Sequence, residues 1–176
     1  MKNNMFGKAV GGLLVTGVLL GAACGSADES PAPMAEGVTI SDQWASAADS
    51  GMTAVFGSVA NTGPGDARIV GGSSPQAGHV EVHEVVPDAT GTMIMRQIDG
   101  GLTVPAGGTR ELIPGGDHLM LMDLTQPLLP GADVEVTVEF EDGSTLPVIA
   151  QVRDFAGGHE EYSPGAGAEG APHHHG

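Results

Sequence analysis

Regular alternation of apolar and polar residues is the feature of this 176-residue sequence that most restricts its fold. Residues 133–140 read DVEVTVEF, with an apolar side chain at every second position. Side chains of an extended strand point alternately to the two faces of a sheet, so a period of two predicts a half-buried strand. Eight further segments carry strand signals, with Gly, Pro, Asn or Asp turns between many of them, and none has the period of an amphipathic helix. The sequence therefore predicts an all-β Greek-key sandwich or barrel of nine strands, at residues 38–47, 52–61, 67–74, 79–86, 92–98, 109–113, 117–124, 132–140 and 145–153.

Histidine and methionine are concentrated within this strand pattern. Residues 79–122 contain four of the eight methionines of the chain. On three predicted strands, aliphatic side chains lie on one face and imidazole or thioether groups on the other, namely His79 and His83, Met93 and Met95, and His118, Met120 and Met122. Thioether sulfur is a soft, neutral donor that prefers Cu(I), whereas zinc sites use Cys, His and carboxylate. The pattern predicts a Cu(I) site on one face of a β core.

The first residues are typical of an export signal. Lys2 and Lys8 precede an apolar run at residues 9–20, which is too short to span a bilayer as a stable helix, and small residues precede Cys24. Residues 1–23 are predicted to be a signal peptide and Cys24 an acylated lipoprotein cysteine; ordinary cleavage nearby is the alternative. Residues 24–36 are predicted to be a tether, or simply a disordered N-terminus. The protein is then exported and anchored to the cell membrane, on its periplasmic or extracellular side.

Charge and cysteine usage exclude several classes of function. The net charge is −16, and removal of a leader that contains two lysines and no acid makes it more negative. Nucleic acid is therefore excluded as a partner. A blue-copper electron carrier needs a cysteine thiolate, and the only cysteine, Cys24, lies outside the predicted domain. No Ser/His/Asp arrangement or carboxylate pair stands in a recognisable context, so the sequence does not predict an enzyme.

The C-terminal segment 155–176 is rich in Gly, Ala and Pro and is predicted to be disordered. It carries His159 and a run of three histidines, His173, His174 and His175. The run is interpreted as a metal-collecting tail; the alternative is the remnant of an affinity tag.

The spacing of the histidines and methionines resembles a known family. His83 and Glu84 are followed by ten residues and Met95, and after 22 more residues comes His118-x-Met120. This is similar to the PCu(A)C periplasmic copper-chaperone family, whose motif is His-Met or a variant, ten residues, Met, 21 residues and His-x-Met. The extra residue is assigned to the Gly100–Gly101 pair, and Glu84 replaces a methionine. The resemblance covers roughly 38–153 and includes Trp44, Asn61-Thr62-Gly63, residues 104–109, Pro114-Gly115-Gly116, residues 118–122 and Pro127-Leu128.

The resemblance implies a cupredoxin-like domain at 37–154 that binds one Cu(I) through His83, Met95, His118 and Met120. It also implies delivery of copper to the binuclear copper site of cytochrome c oxidase, alongside a Sco-type thiol protein. Relatives with a histidine-rich tail can hold a second ion, which here implies Cu(II) at His159, His173, His174 and His175. Met93 and Met122 are predicted to be rim or packing residues, and His79 a surface residue or an aid to copper entry. The alternative function is a copper-storing or adhesive lipoprotein without a transfer role.

Overall fold

The computed structural model describes residues 31–155 and the backbone of residues 161 and 162. The predicted signal peptide, most of the predicted tether and most of the tail lie outside these residues. The described helix and strands belong to a compact unit that begins at Ala32. The described part of the chain forms one short helix, α1 (Met34–Gly37), and eleven strands: β1 (Val38–Ser46), β2 (Thr53–Asn61), β3 (Ala67–Ser73), β4 (Ala77–Pro87), β5 (Met93–Gln97), β6 (Leu102–Val104), β7 (Thr109–Leu112), β8 (His118–Leu124), β9 (Asp133–Phe140), β10 (Thr145–Arg153) and β11 (Glu161–Tyr162).

Seven of these strands close into a barrel. Their order is β4, β8, β2, β1, β10, β9 and β3, and the pairing of Gly72 with Val80 joins β3 back to β4. The sheet is mixed because β1 and β10 run parallel while the other neighbours in the barrel run antiparallel. Outside the barrel, β5 extends the sheet from β4 and pairs with β11, β6 pairs with β3, and β7 pairs with β2. All nine predicted strands are present, and the all-β prediction is confirmed.

The barrel core is built from the apolar face of each alternating strand. In β9 the four buried side chains are Val134, Val136, Val138 and Phe140, while the acidic residues between them are exposed. Burial of an aliphatic or Phe side chain of this kind contributes roughly 1.5–3 kcal/mol. The alternation therefore decides which face of each strand is left for other chemistry.

Three elements, α1, β6 and β11, fall in segments for which the sequence predicted no strand or helix. The amides of Met34 and Ala35, in α1, donate hydrogen bonds to Asp142 Oδ2 (2.7 Å) and Ser144 Oγ (3.0 Å), so the folded part begins before residue 37. The Ser144 hydroxyl and the Met34 amide also lower the pKa of Asp142. At the other end, β11 lies within the segment that was predicted to be disordered.

A tight turn sets the register between β4 and β5. The Asp88 carboxylate accepts hydrogen bonds from the Thr90 hydroxyl (2.7 Å) and from the amides of Thr90 (2.8 Å) and Thr92 (2.9 Å). The Thr90 hydroxyl, followed by these amides, lowers the pKa of Asp88. With the turn held in this way, Met95 pairs with Val85. The turn therefore brings a methionine of β5 to the strand that carries His83.

Candidate metal centre

The histidines and methionines of β4 and β8 form a ladder on one face of the sheet. The cross-strand pairs are His79 with Met122, Glu81 with Met120, and His83 with His118. Their chain neighbours Val80, Val82, Leu119 and Leu121 belong to the barrel core. The imidazole and thioether groups therefore lie on the outer face of the barrel wall, on the side that the alternation predicts.

A separate cluster of thioethers lies on this outer face. Met95, Met120 and Met122 are buried together, and Ala54 of β2 and Val85 of β4 pack against them. Ala54 pairs with Met120 across β2 and β8. Three sulfur atoms are thus collected beside two histidines without contributing to the main core.

His118 is oriented by its own backbone environment. Its Nδ1 lies 2.9 Å from the carbonyl oxygen of Gly116, an atom that can only accept, so Nδ1 carries the proton of the neutral ring. The lone pair is then on Nε2, which lies 3.0 Å from the Met95 sulfur. A hydrogen bond that fixes the tautomer in this way is a common support for a histidine ligand. The imidazole nitrogen and the thioether sulfur form a pair of donors that suits Cu(I).

His83 is fully buried and is oriented by Glu81. Its Nε2 lies 2.6 Å from Glu81 Oε2. An ionised carboxylate only accepts hydrogen bonds, so Nε2 carries the proton and the ring lone pair lies on Nδ1. The rings of His83 and His118 have centroids 5.8 Å apart. A carboxylate behind a histidine fixes its orientation and raises its basicity as a ligand.

Aromatic rings cover the His118 side of the site. Phe56 lies 6.0 Å from the His118 ring, centroid to centroid. Trp44 packs on Phe56 at 4.6 Å, and Phe155 lies 5.2 Å from Trp44. Phe155 fell in the predicted disordered tail, but its ring packs on the domain. These apolar rings keep water away from the buried imidazole.

The structure brings the four predicted ligands together. His83 and His118 are paired, Met95 faces His118, and Met120 packs with Met95. Their role as ligands stays a prediction. Met122 packs in the same cluster, whereas the Met93 side chain is 46% exposed and lies outside it.

Other residues named from the sequence are placed away from the cluster or are not described. Glu84 pairs with Arg96, at 2.9 Å from Nε and 2.8 Å from Nη2, and alternation along β4 puts it on the face opposite His83. His79 lies at the exposed end of the ladder. Cys24, His159 and the three terminal histidines lie outside the described residues.

Sequence reasoning missed Glu81 and Phe56. Glu81 stands between His79 and His83 at a spacing of two, so the alternation that found the histidines could also have found this carboxylate. The position of Phe56 depends on the pairing of β2 with β8, which no local pattern shows.

The donor set is unsuited to a hard metal ion. Among residues 31–155, no group of three or more His, Cys, Asp or Glu side chains gathers in a way that could hold a metal. Besides Glu81, which contacts His83, the donors gathered beside the two buried imidazoles are thioethers. Sulfur donors favour Cu(I) over zinc, magnesium or calcium, so the chemistry of these residues fits a copper ion.

The strand order and the closed barrel define the class as an all-β, cupredoxin-like domain. Residues 38–152 match the family described as "Putative lipoprotein LpqE-like". The chain belongs to this LpqE-like family. It is 46% identical over 134 residues to "Putative lipoprotein Lxx21020" of Leifsonia xyli subsp. xyli (strain CTCB07). The alignment covers 76% of this chain and 80% of the relative. In the described part, no helix has the length and apolarity needed to cross a bilayer.

Solved structures of similar fold are PCuAC domains. The copper-bound PCuAC domain from PmoF2 superimposes with a TM-score of 0.55 at 21% identity, over 68% of this chain and 94% of that domain. The apo PCuAC domain from PmoF1 gives a TM-score of 0.54 at 19% identity, over 68% of this chain and 95% of that domain. The predicted resemblance is confirmed at the level of the fold.

Proposed function

We propose that this protein is an exported copper chaperone that holds one Cu(I) ion through His83, Met95, His118 and Met120. It delivers the ion toward the copper site of cytochrome c oxidase, alongside a Sco-type thiol protein. The observation that carries the proposal is the meeting of His118 Nε2 and the Met95 sulfur at 3.0 Å, beside the buried Met120. The PmoF2 domain of the same fold binds copper, which supports a metal role for this face.

The donor set also suits release of the ion. Thioethers are neutral ligands, so the site holds only the single charge of Cu(I). A recipient with stronger donors can replace the thioethers one at a time, and the histidines hold the ion until the last exchange. The function requires no covalent chemistry and is not catalytic.

Copper transfer tests this function. The mature protein is loaded anaerobically with one equivalent of Cu(I), mixed with the apo copper domain of an oxidase subunit, and separated from it by chromatography. We expect copper to move to the oxidase domain. Transfer should be faster when a Sco-type thiol protein is added to the mixture. Retention of copper by a well-loaded donor would overturn delivery and favour the storage alternative. Met52→Leu is the control for loss of a methionine outside the site. It should transfer copper as the wild-type protein does, since Met52 is exposed and lies outside the thioether cluster.

Membrane anchoring through Cys24 is a second part of the proposal. The family and the curated relative are both described as lipoproteins, and Cys24 is the only cysteine of the chain. Stable anchoring takes more than a single acyl chain, so we expect a mature N-terminus at Cys24 with several acyl groups. Mass spectrometry of the N-terminal peptide from native membranes measures this. An unacylated peptide that begins elsewhere would contradict it.

The tail is proposed to hold Cu(II) separately from the core. Imidazole nitrogen suits Cu(II) better than thioether sulfur does, and His159, His173, His174 and His175 supply four such groups. Deletion of residues 159–176 should remove a Cu(II) paramagnetic signal and leave the Cu(I) stoichiometry of the core at one. Loss of Cu(I) binding in the deletion variant would show that the two sites are not independent.

A further inference from the structure

The ladder of β4 connects the buried His83 to the surface through two other side chains. Glu81 Oε2 contacts His83 Nε2 at 2.6 Å, and its other oxygen, Oε1, contacts His79 Nε2 at 3.2 Å. One carboxylate therefore bridges two imidazoles. The exposed fraction of the side chains rises along this row, from 0% at His83 to 17% at Glu81 and 49% at His79.

A second carboxylate, that of Asp123, lies near the outer imidazole. His79 Nδ1 lies 3.6 Å from Asp123 Oδ2. Asp123 has a φ of 54°, in the left-handed region that non-glycine residues rarely adopt and that costs about 1–3 kcal/mol. A Cβ on Gly78 would lie only 3.0 Å from Asp123 Cβ, so a glycine next to His79 leaves room for this carboxylate. The left-handed backbone of Asp123 and the missing side chain at Gly78 thus allow an acid to lie near an exposed histidine.

We propose that His79 and Glu81 form an outer copper-exchange station, through which Cu(I) enters and leaves the buried site. The inference rests on the proposed function and names the route by which the site is filled. The His79 imidazole offers the first protein nitrogen to an arriving ion, and the Glu81 carboxylate attracts the cation toward Met120, its cross-strand partner and a predicted ligand. Met122, the cross-strand partner of His79, adds a thioether on the same face.

Copper could instead reach the site past Met93. The position and contacts of Met93 argue against that route. Met93 pairs with Pro87 near the β4–β5 turn, four residues along β4 from His83. It is not part of the thioether cluster. No hydrogen bond found among the described residues joins it to a predicted ligand, whereas Glu81 contacts His83 directly.

If His79 acts in copper exchange, its loss should change the rates of Cu(I) uptake and release without changing the Cu(I) affinity. A group that the ion visits only in passing lowers the barriers for entry and exit equally, so its loss slows both and leaves the equilibrium unchanged. For His79→Ala we expect Cu(I) uptake and release to slow by about tenfold, the lower end of the effect typical when a group supporting a metal site is lost. The Cu(I) dissociation constant should stay at the wild-type value, since each ligand of the resting site and the Glu81 carboxylate beside His83 are kept.

Stopped-flow exchange of Cu(I) with the chelator bathocuproine disulfonate measures the two rate constants and their ratio on the full mature chain. Glu139→Gln is a control substitution at an exposed residue of β9, outside the strands that carry the site, and should exchange copper at the wild-type rate. Met93→Leu tests the other opening. Slower exchange in Met93→Leu with a normal rate in His79→Ala would overturn the station in favour of that opening. A large loss of affinity in His79→Ala would make His79 a ligand of the resting site and also overturn it. Failure of the wild-type protein to bind Cu(I) would instead reject the proposed function.

Discussion

Met95→Leu and Met120→Leu should each abolish tight Cu(I) binding. Loss of a group behind a metal ligand typically costs 10–100-fold in affinity, so loss of a ligand itself should cost at least about 100-fold. Leucine is close to methionine in size, and such exchanges usually cost less than about 1.5 kcal/mol of stability. The fold should therefore survive, and the loss should be specific to Cu(I). Anaerobic competition with a chelator measures the dissociation constants.

The other methionines make this series discriminating. Met93→Leu should have little effect because Met93 is exposed and lies outside the thioether cluster. Met122→Leu should cost less than Met120→Leu, although Met122 packs in the same cluster. If Met93→Leu proved as damaging as Met95→Leu, the pairing of Met95 with Val85 would be the wrong register. If Met122→Leu were the more damaging change, Met122 would be the ligand of β8.

Replacement of Met120 by His should change selectivity as well as affinity. A third imidazole hardens the donor set, so Met120→His should narrow the preference for Cu(I) over Cu(II). The measurement is the ratio of the two dissociation constants. An unchanged ratio would show that the Met120 sulfur is not a ligand.

Gly101→Ala should strongly destabilise the fold, whereas Gly100→Ala should not. Both glycines precede β6 with positive φ angles, 76° and 84°, which cost an alanine about 1–2 kcal/mol each. A Cβ on Gly101 would also overlap the carbonyl oxygen of Ile69, a buried core residue, and overpacking of this kind adds about 1–3 kcal/mol. A Cβ on Gly100 comes no nearer than 3.9 Å, to the Arg68 side chain.

Urea unfolding measures the free energy of unfolding of the two variants. Their difference gives the contribution of the overlap between a Cβ at position 101 and the Ile69 carbonyl oxygen. We expect a loss of about 2–5 kcal/mol in the free energy of unfolding for Gly101→Ala and about 1–2 kcal/mol for Gly100→Ala. Copper stoichiometry should be unchanged in the folded fraction of both, because this turn lies outside the strands that carry the ligands. Equal destabilisation would contradict the close approach of Gly101 to β3.

The alternation of the sequence was enough to predict the main strands and the face that carries the histidines and methionines. It could not predict β6, because three residues between a glycine pair and a proline are too few to show a period. It also could not predict closure of the barrel. Closure depends on the pairing of Gly72 with Val80 and on the parallel pairing of β1 with β10, and both are contacts between distant parts of the chain.

The site was only partly visible in the sequence for a similar reason. Spacing and resemblance named His83, Met95, His118 and Met120, and the structure brings them together. The support of these residues depends on tertiary packing: Phe155 reaches Trp44 from beyond the last barrel strand, and Asp123 reaches His79 from the neighbouring strand. Glu81 is the exception, because the alternation of β4 was sufficient to place it on the face of His79 and His83, although the sequence analysis overlooked it.

The central claim, one Cu(I) held by two imidazoles and two thioethers, is tested most directly by copper X-ray absorption spectroscopy of the anaerobically loaded protein. The proposed site predicts the edge position of Cu(I), with two sulfur and two nitrogen neighbours at one copper per chain. A shell of nitrogen and oxygen alone, or the edge position of Cu(II) under reducing conditions, would contradict it.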